Sequence, residues 1–239
     1  MGANSHIEWT EATWNPITGC TKISAGCKNC YAERLAMRLQ AMGNHRYSSG
    51  FKLTLHHDAV DLPRSWKLGR KVFVNSMSDL FHEDVPLSFI HRLFKTMREC
   101  PQHIFQILTK RSARMRQIAP KIEWPANVWM GVSVENATVL SRVDDLRQVP
   151  ATVRFLSCEP LIGSLRGIDL KDIHWVIVGG ESGPRARPMD VGWVHEIRRA
   201  CRNHSVPFFF KQWGGVRKDL TGRLLSGKIY NELPQRVAA

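Results

Sequence analysis

The chain has 239 residues, 43% of them hydrophobic, which is enough to bury the core of one α/β domain. No stretch approaches ~18 consecutive apolar residues, and the opening MGANSHIEWTEATW lacks the basic-then-apolar layout of a secretory leader, so a membrane span and export are not expected and a cytoplasmic location is. Six cysteines are too few for a disulfide scaffold, and 34 Lys and Arg against 21 Asp and Glu, a formal +13, favour a polyanionic partner such as nucleic acid.

In chain order, an early strand is expected to enter Gly19-Cys20. The loop after it, GCTKISAGCKNCYAER, carries Cys20, Cys27 and Cys30, with six residues in the first gap and two in the second. A helical pattern covers 30–42. Residues 43–68 break the rhythm with polar, Gly and His content and read as an excursion over the mouth of the fold. Strands are then predicted at 71–75 (KVFVN), 103–109 (HIFQILT), 128–134 (VWMGVSV), 153–157 (VRFLS), 174–179 (HWVIVG) and 207–211 (PFFFK). Between them, apolar residues recur at three- and four-residue spacing over 87–100, 113–118, 137–148 and 191–204. Near-continuous apolar strands alternating with helices predict a parallel sheet curled into a partial (β/α) TIM-type barrel, a single domain over 1–239.

Polar residues gather where nearly every predicted strand ends: Asn75-Ser76-Met77-Ser78-Asp79, Thr109-Lys110-Arg111, Ser133-Val134-Glu135, Ser157-Cys158-Glu159-Pro160, Gly179-Gly180-Glu181 and Lys211-Gln212-Trp213. In α/β barrels that face carries the active site. Three thiols within eleven residues call for metal chemistry, since thiolates bind zinc or iron–sulfur clusters. A structural zinc site closes with four ligands, and the histidines next in sequence, His45, His56 and His57, come at least fifteen residues later. A [4Fe–4S] cluster held by three cysteines leaves one iron open. Cys100 and Cys201 fall on predicted helices and read as core.

The three-cysteine loop after the first strand, with Tyr31 following the last cysteine and a parallel barrel behind, resembles the radical S-adenosylmethionine (radical SAM) superfamily. In that superfamily the open iron chelates SAM, and an electron from the cluster cleaves it to a 5′-deoxyadenosyl radical. The segments TWNPITGCTKISAGCKNCYAER, FVNSMSDLFH, QILTKR, LSCEPL, VIVGGESGPRARPM and FFKQWG more closely resemble the phage Gp37/Gp68 family. Two features depart from the superfamily. The first cysteine gap is six residues instead of three, and Asn75-Ser76-Met77-Ser78-Asp79 stands where a Gly-Gly-Glu segment usually meets the SAM amino group.

The resemblance implies a set of roles. Cys20, Cys27 and Cys30 would hold the cluster. Asn75, Ser76, Ser78 and Asp79 would contact SAM, as would Ser133 and Glu135, whose alternative role is capping the next helix, and Glu181. Cys158 would donate a hydrogen atom to a product radical, as a cysteine does in spore photoproduct lyase, or else pack as a small core residue. Glu159, fixed by Pro160, would orient a ligand, and Tyr31 would sit at the reacting centre. Lys110, Arg111, Arg185, Arg187 and Lys211 would contact phosphates beside the stacking planes of Trp14, Trp213 and Tyr47. The expected protein is a monomeric [4Fe–4S] radical enzyme, supplied by an external reductant, that repairs a UV photoproduct in DNA much as spore photoproduct lyase does. The alternatives are radical SAM modification of a nucleobase or RNA, a cluster that works without SAM, and a nucleic-acid-binding protein whose Fe–S or zinc site is structural.

Overall fold

The apolar runs become strands because only a sheet covered on both faces can bury them completely. In the computed structural model, which describes residues 5 and 7–235, the strands are β1 (Ala12–Trp14), β2 (Ile17–Thr18), β3 (Thr54–Leu55), β4 (Lys71–Val74), β5 (Ile104–Thr109), β6 (Val128–Ser133), β7 (Val153–Cys158), β8 (Trp175–Gly179) and β9 (Phe208–Gln212). The helices are α1 (Tyr31–Ala41), α2 (Leu87–Arg98), α3 (Ser112–Ile118), α4 (Ser141–Arg147), α5 (Val191–Asn203) and the short α6 (Lys218–Thr221). Residues 1–4, part of the stretch without a leader pattern, lie outside the described residues.

Seven strands pair in parallel in the order β1-β4-β5-β6-β7-β8-β9, a sheet that curls into a half-barrel within a single domain. The outer face packs under the helices through Val72, Val74, Phe105, Ile107, Met130, Leu156, Val176 and Val178. The inner face is aromatic: Phe73, Trp129, Phe155, Trp175 and Phe209 close around Trp9, which enters from the segment before β1. The Trp9 ring lies 4.7 Å from Phe73 and 6.1 Å from Trp175, centroid to centroid, within the range of favourable edge and tilted packing. Gly131 makes room for this cluster, since a Cβ there would lie 2.5 Å from the Phe155 ring. Among the described residues no helix is long and apolar enough to cross a membrane.

Two expectations are corrected. The first parallel strand does not run into Gly19-Cys20; it ends at Trp14, and Ile17–Thr18 instead forms an antiparallel pair with Thr54–Leu55. The reason is that 43–68 is an edge cover. It packs Val60 and, in part, Leu53, Leu55 and Leu62 against the outer core, and its Ala59 carbonyl accepts the Trp14 Nε1–H at 2.7 Å. The 71–75 strand stops one residue early because Asn75 takes a φ of +60° and turns the chain into the polar loop behind it.

Candidate active site

The C-terminal ends of the parallel strands open onto a cavity of about 420 Å³. The cysteine loop forms one wall. It begins at Gly19, whose φ of +82° suits glycine and where a Cβ would lie 2.1 Å from the Lys52 carbonyl oxygen. Cys20 follows, its amide donating to the Phe51 carbonyl at 3.2 Å. A 3-10 turn, Ala25–Cys27, carries the second thiol, and Cys30 is the N-cap of α1. That helix docks through the small residues Ala32 and Ala36 beside Met77 and Tyr47, which brings its N-terminus to the cavity.

Two buried carboxylates tie this loop to the strand ends. Glu135, with no exposed surface, accepts from Arg142 Nη1 at 2.7 Å and from the Gly26 amide at 3.2 Å. Burial opposes its charge, but the Ser24 hydroxyl, Arg142, Lys110 and the Gly26 amide outweigh it and hold its pKa below the usual carboxylate value. A Cβ on Gly26 would stand 2.9 Å from Glu135 Oε1, so the loop approaches this carboxylate as only glycine can. Glu181 accepts from Asn29 Nδ2 at 2.9 Å and from Arg187 Nε and Nη2 at 2.9 and 2.6 Å. Against the effect of burial, these bonds from Arg187 and Asn29 bring its pKa down to about 2.

The thiols themselves sit in different fields. Burial, and then Asp79, push Cys20 up to about 11, although Arg111 Nη1 donates to its sulfur at 3.4 Å. At Cys27 burial also opposes ionisation, yet hydrogen bonds at Ile23 and Ser24 and the charge of Lys110 lower the pKa below the ordinary thiol value. Lys110 Nζ donates to Ser133 Oγ at 3.3 Å.

Of the residues expected at the site, the three cysteines, Tyr31, Asn75, Ser76, Ser78, Asp79, Lys110, Arg111, Ser133, Glu159, Glu181 and Lys211 all line the cavity. Tyr31 donates its hydroxyl to the Ser76 carbonyl, and Lys211 Nζ donates to Glu159 Oε1 at 2.5 Å. Others stand elsewhere. Cys158 faces the helices and packs in the outer core, because strand alternation turns its neighbour Ser157 to the cavity instead; burial and the nearby Cys201 push its thiol pKa up. Glu135 lies beneath the loop and does not line the cavity. Trp14 is fully buried and hydrogen-bonded to Ala59, Tyr47 is buried beside α1, and Trp213 packs on Phe210 at 4.9 Å with its Nε1–H on the Leu224 carbonyl. Trp14 and Tyr47 therefore offer no open stacking plane, and Trp213, which is partly buried, does not line the cavity.

The cations also divide. Arg111 is buried and donates to Asp79, Glu83, Thr21 and Cys20, so its role is to hold the cysteine loop to the end of β5. Arg187 is forked onto Glu181. Arg185 remains exposed, its carbonyl held by Asn29 at 2.9 Å, and Lys28 is exposed on the same wall; neither pairs with a carboxylate among the described residues. Residues that patterning did not single out are Asn15, Asn29 and Arg142. Asn15 takes Ser76 Oγ and the Met77 amide on its Oδ1, which shapes the loop after β4. An uncharged Asn two residues after one cysteine carries no local signal, since the partners of Asn29 are Glu181 and Arg185, far away in sequence.

The donor set can be tested against the two metal readings. Among the described residues no three His, Cys, Asp or Glu side chains converge as ligands of a single ion. A [4Fe–4S] cluster asks for a wider triangle, because each thiolate binds a different iron. Three half-buried thiols along one cavity wall, with Lys110 and Arg111 beside them to offset negative charge, suit the cluster.

Residues 4–234 match the model of a family described as "Protein of unknown function (DUF5131)"; the match does not carry the phage Gp37/Gp68 name. No curated protein matches. Three solved structures are similar. A double mutant of spore photoproduct lyase with bound AdoMet and dinucleoside spore photoproduct gives a TM-score of 0.47 at 13% identity, over 70% of this chain and 55% of that one. Spore photoproduct lyase complexed with dinucleoside spore photoproduct gives 0.45 at 13%, over 77% and 59%. A tyrosine-to-phenylalanine mutant of the same enzyme gives 0.51 at 10%, over 82% and 75%. The chain thus spans a little over half the length of the first two. The likeness to the third is one of fold, the parallel half-barrel.

Proposed function

The chain belongs to the DUF5131 family, and from its cysteine loop and strand-end cavity we propose that it is a [4Fe–4S]-dependent, radical SAM-like enzyme that acts on nucleic acid, with repair of a UV lesion in DNA as the favoured reaction. One observation carries the reading: Cys20, Cys27 and Cys30 share a wall of the cavity into which the parallel strands deliver their polar residues. When bound, such a cluster supplies one-electron chemistry to a SAM molecule at its open iron.

The protein's own residues do the rest. Glu135 and Arg142 fix the 3-10 turn that presents Cys27, and Arg111 supports Cys20. Ser76, Ser78 and Asp79 are spent on Asn15, Ile17, Thr109 and the Lys110 amide, so they shape the wall and leave backbone groups for ligand contact. The Lys211–Glu159 pair stands across the cavity as a donor and acceptor. Phosphates would meet the rim at Lys28 and Arg185, and the formal +13 steers a polyanion to it.

Anaerobic reconstitution tests the reading. The wild type is expected to bind about four irons per chain with an EPR signal on reduction. The signal should shift with SAM, 5′-deoxyadenosine should be released, and lesions should disappear from UV-irradiated DNA. Cys27→Ala should lose the cluster absorbance. Stoichiometric zinc in place of iron, or colour retained in Cys27→Ala, refutes it.

A further inference from the structure

Just past the end of β5 the guanidinium of Arg111 is buried, and its donors fan out over the cysteine loop and the loop after β4. Nε donates to Glu83 Oε2 at 2.8 Å, and Nη2 donates to the Thr21 carbonyl and hydroxyl at 3.1 and 2.7 Å. Nη1 is shared between Cys20 Sγ at 3.4 Å and Asp79 Oδ2 at 3.5 Å. The bond to sulfur is a charge-assisted one onto a candidate cluster ligand. Arginine suits the place because its planar fork carries five donors, whereas a lysine offers three on a single nitrogen.

The aim of Nη1 does not depend on the thiol. Thr21 and Glu83 hold the other two nitrogens, and Asp79 is itself held by the Thr109 hydroxyl and by the Phe81 and Lys110 amides. The donor therefore lies against Cys20 before any cluster binds. Lys110, the adjacent cation, turns instead to Ser133 Oγ. The carboxylates oppose the guanidinium at this sulfur, and of the two Asp79 weighs more, because its side chain is 8% exposed whereas that of Glu83 is 61% exposed and screened by solvent. Without Arg111 the field at Cys20 would turn negative.

We infer that Arg111 sets the reduction potential of the cluster: its N–H on the Cys20 sulfur stabilises the negative charge that arrives with an electron, and so raises the potential. The inference deepens the function proposed above and rests on its cluster. Reduction adds one electron from an external donor, which is oxidised, and no bond to the protein forms or breaks. The charge on the thiolate ligands grows more negative, so a fixed cationic donor at one of them favours the reduced state. Arg111 is thus a positioning residue that acts through Cys20.

The experiment is a potentiometric titration of the reconstituted full chain with dithionite, followed by EPR in the absence of SAM, with iron content recorded on the same samples. It compares wild type with Arg111→Gln, Arg111→Lys and Lys28→Gln. The midpoint is a ratio read on whatever fraction loads, so poor loading alone does not move it. Arg111→Gln should make reduction about tenfold less favourable, which for one electron is about 59 mV. Arg111→Lys, which keeps the charge and loses the fork, should cost about threefold, and it decides the matter where Arg111→Gln fails to load. Lys28→Gln, which removes an exposed and screened charge from the same loop, should change the equilibrium by less than about twofold. Unchanged or raised midpoints in the Arg111 variants, or an equal shift in Lys28→Gln, overturn the inference and leave the cluster standing. Failure of both Arg111 variants to load iron also overturns it and reduces the residue to scaffolding. A wild type that binds zinc in place of iron overturns the cluster reading and the inference with it.

Discussion

Glu135→Gln changes one atom and removes the charge on which the cysteine loop is fastened. The carboxylate has no exposed surface, and the Arg142 side chain opposite it is only 8% exposed, so the variant leaves a guanidinium buried without its counter-charge. Breaking such a pair costs about 3–5 kcal/mol when a partner is deleted, and an isosteric amide, whose one oxygen still accepts from either Gly26 or Arg142 but not both, should bring this to about 2–3 kcal/mol. For a chain of this size that lowers the melting temperature by roughly 4–12 °C. Thermal and urea unfolding of iron-free protein measure the loss, and iron content after reconstitution reports the loop, which should load less metal because the Gly26 amide loses its charged acceptor. The discriminating variant combines Glu135→Gln with Arg142→Met. With both charges gone, the double variant should be more stable than the sum of the single changes implies, by about 1–3 kcal/mol. Additivity within ~0.5 kcal/mol, or an unchanged melting temperature in Glu135→Gln, would refute the latch.

The second carboxylate gives a pH signature. Glu181 has a folded pKa of about 2, below its ordinary value of 4.5, so the stability it contributes is fully present above about pH 4.5 and is lost as pH falls through about 2. The contribution is on the order of 3 kcal/mol, and Glu181→Gln should flatten the melting temperature between about pH 5 and 2 while costing most of its stability near neutrality. At the rim, Lys28→Glu with Arg185→Glu should weaken DNA binding and shallow its salt dependence by about one unit of slope per charge removed, whereas Trp14→Phe should leave affinity unchanged and cost stability through the lost bond to Ala59. Filter binding across a salt series separates the two, and a DNA-binding loss in Trp14→Phe would return that residue to the interface.

The strands are legible because burial on both faces leaves one signature, a continuous apolar run, and KVFV, IFQILT, VWMGVS, VRFLSC, WVIVG and FFFKQ all carry it. What the run cannot encode is which of its residues turn inward. Its place at the end of β7 suggests Cys158 for the mouth, but the face is set by register against Ser133 and Ile177, and that places Ser157 there. The first strand escapes the pattern for a related reason: TWNPIT is short and interrupted by Pro16, and its second half finds an antiparallel partner only once the 43–68 segment folds back over the edge.

The cations mislead for an electrostatic reason that also says how a substrate is met. Charges at strand ends are half-buried, and a half-buried charge must be compensated nearby or the fold bears its desolvation. Sequence adjacency hides the partners: Arg111 pairs with Asp79 and Glu83, Lys211 with Glu159 and Arg142 with Glu135, across gaps of 32, 28, 52 and 7 residues. Basic residues whose letters suggest a phosphate surface, Arg111 and Lys211 among them, are therefore internal scaffolding of the cavity. The excess charge lies on exposed residues such as Lys28 and Arg185, which flank the cysteine wall without entering it. On the function proposed above, a polyanion would be met at the rim by such exposed residues and not by the paired cations of the cavity. Added salt should accordingly weaken the binding of a strand, and less steeply once Lys28 and Arg185 are replaced.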